Sequence, residues 1–167
     1  ETLSECMKGD LYISSTSDAA IFVYGLKYIL GNIHTSAPTN AGTLVFQSLE
    51  YAESISLLPI NKAPGVYFPS LQRTERLYMP GSITPKEISA AKLNYIGSLE
   101  LTGNKVLQKL IFDSNVKVKE ITLTSNAALT CSEICGSLKN SGATGLIKGN
   151  AESSCELDNG SISSVCQ

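Results

Sequence analysis

Residues 77–101 read LYMPGSITPKEISAAKLNYIGSLEL, and this stretch contains one complete unit of a 22-residue repeat. It opens with Leu77-Tyr78-Met79 and closes with Leu99-Glu100-Leu101, so an apolar, polar, apolar triplet returns after 22 residues. The same step continues in both directions without insertion, through Leu11, Ile33, Ile55, Leu77, Leu99 and Ile121. A repeat of this length is typical of a solenoid, in which each unit buries its apolar side by stacking on its neighbours.

Four further columns of equivalent residues follow the same step. They are Ile13, Thr35, Leu57, Met79, Leu101 and Leu123; Phe22, Leu44, Val66, Ile88 and Leu110; Tyr24, Phe46, Phe68, Ala90 and Phe112; and Ala41, Ala63, Pro85, Leu107 and Leu129. Two segments of each unit alternate apolar and polar residues, as at 44–46 and 55–57, and this period of two predicts strands. We therefore predict a mostly β chain, a β-helix of about six 22-residue coils over residues 1–129, with parallel strands ~4.8 Å apart.

The nearest comparison is a leucine-rich repeat, because Leu93, Ile96, Leu99, Leu101 and Asn104 have its spacing. Asn126 repeats Asn104 one unit later. The equivalent positions of the earlier units are Thr16, Pro38, Ile60 and Ser82, so we expect no continuous asparagine ladder. A second strand also stands where many leucine-rich repeats have a helix. These differences favour an irregular β-helix.

Composition excludes several classes of protein. The 167 residues contain 13 Lys and Arg against 15 Asp and Glu, a net charge of −2 with no basic run, so we expect no nucleic-acid partner. Apolar runs are a few residues long, well under the roughly 20 needed to span a bilayer, so we expect no transmembrane segment. No motif for a cofactor or a metal ion is evident, and we expect neither.

Four of the five cysteines lie in the last 37 residues, at Cys131, Cys135, Cys155 and Cys166. Their spacing lacks the second close pair usual in zinc sites, so disulfides are favoured over zinc. Disulfides indicate an oxidising, extracellular compartment. The sequence begins at Glu1 without Met or an apolar leader, as expected after removal of a secretory peptide.

Residues 130–167 are predicted to form a cysteine-rich cap on the coils. Ile134 and Leu138 lie four apart after Thr130, a suitable N-cap residue, which predicts a short capping helix. We predict the disulfides Cys131–Cys155 and Cys135–Cys166, which would join this helix to the tail. Cys6 would lie in the first coil, about 25 Å away, too far to bridge, so we expect it to be free or joined to another chain.

Two segments resemble fungal GPI-anchored cell-wall organisation and sporulation-specific proteins. Residues 130–149, followed by Cys155, are similar to the C-terminal cap of that family. Residues 6–13, CMKGDLYI, are similar to the start of its first repeat. The resemblance implies receptor L-domain-like repeats in a right-handed β-helix. It also implies an extracellular or cell-wall protein, made as a GPI-anchored precursor, with a structural or binding role and no catalytic residues.

That family carries many N-glycosylation sequons and ends in a Ser/Thr-rich stalk. This chain has one sequon, Asn159-Gly160-Ser161, and no stalk, which is compatible with a compact, freely secreted relative. We expect Asn159 to be the glycosylation site.

The outward residues of the first strand offer a candidate binding face for a cell-wall glycan or a surface protein. It comprises Tyr12, His34, Arg76, Tyr78 and Glu100. Ser56 separates His34 from Tyr78, which leaves no acid–base pair for bond breaking, so we expect no enzyme. A carbohydrate-active enzyme is the least favoured alternative.

The second strand carries an outward apolar stripe, beginning Val23, Val45 and Tyr67 and continuing through Ser89 and Ile111. A contiguous exposed stripe indicates an interface, unless an N-terminal extension or a loop covers it. Two hypotheses follow. The first is a non-catalytic secreted or wall-associated surface protein that binds a glycan or a protein. The second is a self-associating extracellular module, a homodimer joined through Cys6 or through edge strands of the first coil.

Overall fold

A computed structural model describes residues 5–14, 20–36 and 42–167, and this part of the chain forms a β-solenoid of about six turns. Its elements in chain order are β1 (Cys6–Lys8), β2 (Leu11–Ile13), β3 (Ala20–Val23), β4 (Tyr28–Thr35), β5 (Thr43–Phe46), β6 (Tyr51–Ser56), β7 (Gly65–Tyr67), β8 (Arg73–Pro80), β9 (Glu87–Ala90), β10 (Tyr95–Thr102), β11 (Lys109–Phe112), β12 (Lys117–Thr124), α1 (Cys131–Leu138), β13 (Thr144–Lys148) and β14 (Leu157–Ser161). The mostly β, coiled architecture predicted from the repeat is confirmed.

The strands form two sheets that face each other across the core. Within the described residues, the long sheet has the order β1-β4-β6-β8-β10-β12-β13-β14, with β2 also paired to β4. The short sheet has the order β11-β9-β7-β5-β3. Neighbouring strands are parallel except for β14, which runs antiparallel to β13. Parallel order follows because each coil returns to the same sheet in the same direction.

The 22-residue step is the register of the long sheet. Leu77 lies opposite both Ile55 and Leu99, and Ile121 lies opposite Leu99. These side chains are fully or almost fully buried and form the inner wall of the core. In the next columns, the rings of Phe46 and Phe68 stack with centroids 4.9 Å apart. Ala41, assigned to the fifth column, lies outside the described residues, whereas Ala63, Leu107 and Leu129 are buried as predicted.

The predicted inward columns that begin with Phe22 and Tyr24 are wrong in the first coil. Ile21, not Phe22, lies opposite Leu44, and Val23, not Tyr24, lies opposite Phe46, so the step here is 23 residues. Because strand side chains alternate, a one-residue change moves each of them to the other face of the sheet. Phe22 and Tyr24 are accordingly 49% and 64% exposed.

An asparagine ladder runs through the last coils. The Asn104 Nδ2 and backbone N–H groups donate to Asn126 Oδ1 at 2.9 and 3.1 Å, and Asn126 makes the corresponding bonds to Asn150 Oδ1 at 3.0 Å. Ser82 extends the row, donating its N–H to Asn104 Oδ1 and accepting that of Ile60. The ladder is thus longer than the sequence comparison indicated, while Thr16 and Pro38 lie outside the described residues.

The predicted capping helix is α1, and its N-cap is Thr130, whose hydroxyl accepts from the N–H of Glu133. α1 begins 22 residues after β11 begins and takes the place of the next short-sheet strand. Glu133 accepts the Leu110 N–H at 2.8 Å, and Ser137 donates to the Leu110 carbonyl at 2.5 Å. Two helix side chains therefore satisfy edge groups that a strand would otherwise pair.

Both predicted disulfides are present, with Cα–Cα distances of 5.5 Å for Cys131–Cys155 and 5.2 Å for Cys135–Cys166. They join α1 to the tail that follows it. Cys6 lies exposed in β1, opposite Tyr28, and belongs to neither disulfide. Its chemical state stays a prediction.

The long sheet continues into the predicted cap, which the repeat did not indicate. β13 pairs with β12, Glu120 opposite Thr144, so the step lengthens to 24 residues, and β14 then folds back beside β13. The described part of the chain contains no helix with the length and hydrophobicity of a membrane span.

Candidate functional site

The outward face of the long sheet gathers most of the predicted binding residues. Tyr12 lies opposite His34, His34 opposite Ser56, Ser56 opposite Tyr78, and Tyr78 opposite Glu100. This row continues to Thr122 and Leu146. The structure therefore places Tyr12, His34, Tyr78 and Glu100 in one row. Arg76 lies in the neighbouring outward row, opposite Ser54 and Ser98. Together they form two clusters separated by Ser56.

The first cluster lies at the first coil. The Tyr12 and His34 rings stack with centroids 5.2 Å apart, and Tyr12 is 74% exposed. The carboxylate of Asp10 lies 3.5 Å from both His34 Nε2 and the Tyr12 hydroxyl. It also accepts the N–H of Asn32 at 2.8 Å, and this bond is the main reason that the pKa of Asp10 is lowered.

Asp10 corrects one inference from the sequence, because His34 does have an acidic neighbour. Alternation explains it, since Asp10 and Tyr12 are two residues apart and share the outward face. Both side chains are half-buried, and the pair lies at the first-coil end of the sheet, away from the second cluster. It provides a hydrogen-bonding group on the outward face.

The second cluster consists of Arg76, Tyr78 and Glu100. Arg76 donates from Nε and Nη2 to the two carboxylate oxygens of Glu100 at 2.9 and 2.8 Å. The same guanidinium lies over the Tyr78 ring, 4.4 Å from its centroid. Ser98 donates to Glu100 at 3.1 Å, which completes the support of the carboxylate. These contacts hold a guanidinium group, an aromatic ring and a carboxylate in fixed relative positions.

Arg76 and Glu100 stabilise each other in their charged forms. The hydrogen bonds from Arg76 lower the pKa of Glu100, and those same bonds raise the pKa of Arg76. Both groups are therefore charged at neutral pH. A carboxylate held in this way accepts hydrogen bonds and is a poor proton donor.

A polar groove of about 460 Å³ adjoins the second cluster, where β13 and β14 close one side of the outward face. Its lining is mostly hydroxyl, carboxylate and amide, and comprises Ser98, Glu100, Glu120, Ile121, Thr122, Thr144, Gly145, Leu146 and Asn159. Of these, Glu100 and Asn159 were singled out from the sequence. Glu120 and Thr122 lie on the outward columns of the repeat, whereas Thr144 and Leu146 follow the irregular 24-residue step.

Gly145 shapes the floor of this groove. Its φ is +149°, and a Cβ built there would collide with the carbonyl oxygen of Ile121. A glycine is therefore required for β13 to approach β12 so closely. The pairing of β13 with β14 shifts register between Gly145 and Ile147, and Asn159, exposed on β14, also lines the groove.

A row of tyrosines and cations was missed from the sequence. It runs along the N-terminal part of the long strands as Tyr28, Tyr51, Arg73, Tyr95 and Lys117. The Arg73 guanidinium lies 4.0 Å from the centroid of the Tyr95 ring and is bonded to Glu75 at 2.7 Å. Tyr28 donates its hydroxyl to Glu50 at 3.0 Å. The repeat itself could have revealed this column, because its members recur after 22 or 23 residues.

The apolar stripe of the short sheet exists, but Val23 does not belong to it. Phe22 takes the outward position opposite Val45, and Val23 packs against the core. The stripe is therefore Phe22, Val45, Tyr67, Ser89 and Ile111. Tyr67 is half-buried, and desolvation together with Glu87 raises its pKa.

Among the described residues, no three His, Cys, Asp or Glu side chains converge in a way that could hold a metal ion. No protein family, curated protein or solved structure matches the chain. The geometry of the outward face is therefore the basis for the functional argument.

Proposed function

We propose that this protein is a non-catalytic extracellular surface protein that binds a glycan on the outward face of its long sheet. The observation that carries the proposal is the cluster of Arg76, Tyr78 and Glu100, fixed by mutual contacts and bordered by a polar groove. Sugars offer hydroxyl groups for paired hydrogen bonds and a C–H face that packs on an aromatic ring. The guanidinium of Arg76 and the carboxylate of Glu100 can hydrogen-bond to sugar hydroxyl groups, and the ring of Tyr78 can pack on the C–H face.

Rigidity supports a binding role. Side chains that are already held by neighbours lose little rotamer freedom when a ligand arrives, so less of the interaction energy is spent on ordering them. Arg76 is held by Glu100 and Tyr78, and Glu100 is held in addition by Ser98. Residues from two neighbouring coils, on β8 and β10, thus form one rigid surface.

Binding is favoured over catalysis because the ionisable groups are unsuited to proton transfer. Glu100 is held in its charged form by Arg76, and the His34–Asp10 pair lies in a separate cluster beyond Ser56. A glycosidase needs two carboxyl groups placed across one bond, one of them protonated. Neither cluster offers that arrangement.

An extracellular location is supported by two disulfides, which persist in oxidising compartments. The resemblance to fungal wall and sporulation proteins adds the proposals of receptor L-domain-like repeats, a cell-wall role, glycosylation at Asn159 and a GPI-anchored precursor. Release of the protein from intact cells by a phosphatidylinositol-specific phospholipase would support the anchor, whereas recovery from the medium without enzyme would contradict it.

A glycan array tests the binding proposal. We expect the native protein to bind at least one class of polysaccharide, and Tyr78→Ala to weaken that binding about tenfold, because a stacked ring is lost and Arg76 is less well placed. Ser89→Ala, on the outward face of the short sheet, is the matched control and should bind as the native protein does. Equal binding by all three proteins would show that the cluster is not the site.

Self-association through the first coil is the second candidate. Phe22, on the edge strand β3 of the short sheet, and Tyr24, just after that strand, are exposed with their rings stacked, centroids 5.9 Å apart. Exposed apolar groups on an edge strand favour pairing with another chain. Sedimentation should then show a dimer that Phe22→Ser dissociates. A native monomer at high concentration would remove this candidate.

A further inference from the structure

The polar groove beside the second cluster carries a surplus of negative charge. It is lined by two carboxylates, and that of Glu100 is neutralised by Arg76. The other, Glu120, is exposed, and the ion pairs found in the described part of the chain do not include it. One lining carboxylate therefore remains available to a cation.

The groups around Glu120 are those that recognise a sugar. In the register, Glu120 lies between Ser98 on β10 and Thr144 on β13, so a hydroxyl flanks it on either side. Thr122 adds a further donor and acceptor, and Leu146 supplies an apolar wall. A groove of about 460 Å³ is of the size that holds a small ligand.

We infer that this groove binds an amino sugar unit of a glycan, with the ammonium group of the sugar placed against Glu120. The inference rests on the proposed glycan-binding function and assigns its ligand class. An unpaired carboxylate attracts an ammonium group, repels the carboxylate of a uronic acid and offers less to a neutral sugar. A bare metal ion fits less well, because Ca²⁺ takes six to eight oxygen ligands, and no group of three acidic or other ligating side chains forms within the described residues.

Three oligosaccharides that share one backbone can isolate the effect of the ammonium charge on binding. Oligomers of glucosamine, N-acetylglucosamine and glucose, all β-1,4-linked, differ at C2 by an ammonium, an acetamide and a hydroxyl group. Calorimetry in mildly acidic buffer of low ionic strength should show about fivefold tighter binding of the glucosamine oligomer, as one exposed ion pair provides. Added salt should reduce this preference, since exposed charges are screened.

The protein for this experiment is best secreted into a bacterial periplasm, where disulfides form and no N-glycan is added to Asn159 at the groove. Glu120→Gln should remove the preference while keeping the weaker binding of all three oligomers. Glu53→Gln makes the same change at an exposed position of β6, three strands away, and should keep the preference. Circular dichroism confirms that both variants are folded.

The outcomes separate this inference from the proposed function. Equal binding of the three oligomers, or a preference that survives in Glu120→Gln, would overturn the amino-sugar inference and leave glycan binding intact. Failure of the native protein to bind any of the three oligomers or any glycan on the array would overturn both. Loss of the preference in Glu120→Gln but not in Glu53→Gln would support the assignment.

Discussion

At the scale of single residues, the outward face owes its chemistry to pairs of side chains from neighbouring coils. Arg76 and Glu100 are 24 positions apart in the chain and are joined by two hydrogen bonds. Tyr78 is the register partner of Glu100 and lies beneath the guanidinium of Arg76. Each member of the cluster thus restricts the positions of the others, and a change in the charge of one alters its interactions with the rest.

This coupling predicts a pH-dependent contribution to stability from Glu100. Its pKa is lowered in the folded state, chiefly by hydrogen bonds from Arg76, so the unfolded chain takes up this proton first as pH falls. The stabilisation is complete above the unfolded-state pKa and is lost as pH falls through the folded-state pKa.

Urea unfolding of the native protein and of Glu100→Gln over a range of acidic pH measures the effect. We expect Glu100→Gln to be less stable by about 0.5–1 kcal/mol at neutral pH, the range for partly exposed ion pairs, and the difference to vanish in strong acid. The control Glu53→Gln should show no such convergence. A difference that stays constant with pH would mean that the carboxylate charge is not responsible.

At the scale of elements, buried polar groups decide where each turn of the coil lies. The Asn126 side chain is wholly buried, donates to the Leu101 carbonyl at 2.8 Å and accepts two N–H groups of Asn104. Unpaired buried backbone groups are costly, so the ladder fixes the corners that follow β8, β10, β12 and β13. The helix α1 solves the same problem at the short sheet by bonding to Leu110 with two side chains.

Removal of one ladder member should therefore destabilise the protein strongly. Asn126→Ala leaves the Leu101 carbonyl and the Asn104 N–H without these partners, and we expect a loss of at least about 2 kcal/mol in the free energy of unfolding. Asn126→Leu keeps the side-chain volume, and a similar loss in that variant would assign the effect to hydrogen bonds rather than to a cavity.

Denaturation in urea and by heat measures these losses, and Asn115→Ala is the control. Asn115 is exposed in the turn before β12, and its replacement should change stability by less than about 0.5 kcal/mol. A loss as small as this in Asn126→Ala would show that the ladder contributes little.

At the scale of the whole molecule, the two ends of the solenoid differ. The last coil is covered by α1, extended by β13 and β14, and closed by two disulfides. In the first coil, β1 and β2 have three residues each, and Leu11, Ile21 and Val23 are partly buried rather than fully buried. Because the stability of a repeat protein is a sum over units and their interfaces, the first coil should open most easily.

Hydrogen exchange followed by mass spectrometry tests this gradient. We expect the backbone amides of β1, β2 and β3 to exchange at least about tenfold faster than those of β8, β10 and β12, since local opening costs less free energy in a coil with less buried surface. The amides of β13 should stay slow while the disulfides are intact and speed up on reduction. Exchange that begins at β13 in the oxidised protein would contradict the predicted order of opening.

Thr130 and the spacing of Ile134 and Leu138 predicted the capping helix, and the clustered cysteines predicted both disulfides. The 22-residue repeat was sufficient to predict the solenoid and most of its inner columns. It was sufficient because a constant step places equivalent residues on one wall, and burial of those residues is the main source of stability. It also placed Arg76, Tyr78 and Glu100 on one outward face. Positions of the first coil such as Phe22 and Val23 were misplaced because a single additional residue inverts the strand faces.

Tertiary structure alone decided where the step breaks and what those breaks create. The 24-residue step at Thr144, the close approach of Gly145 to Ile121 and the return of β14 form the groove, and none of these follows from the 22-residue rule. Tertiary packing also paired His34 with Asp10, and Arg76 with Glu100 rather than with another carboxylate. The period determined which residues face inward through a repeated hydrophobic pattern, whereas the site depends on side-chain hydrogen bonds and close backbone contacts that have no period.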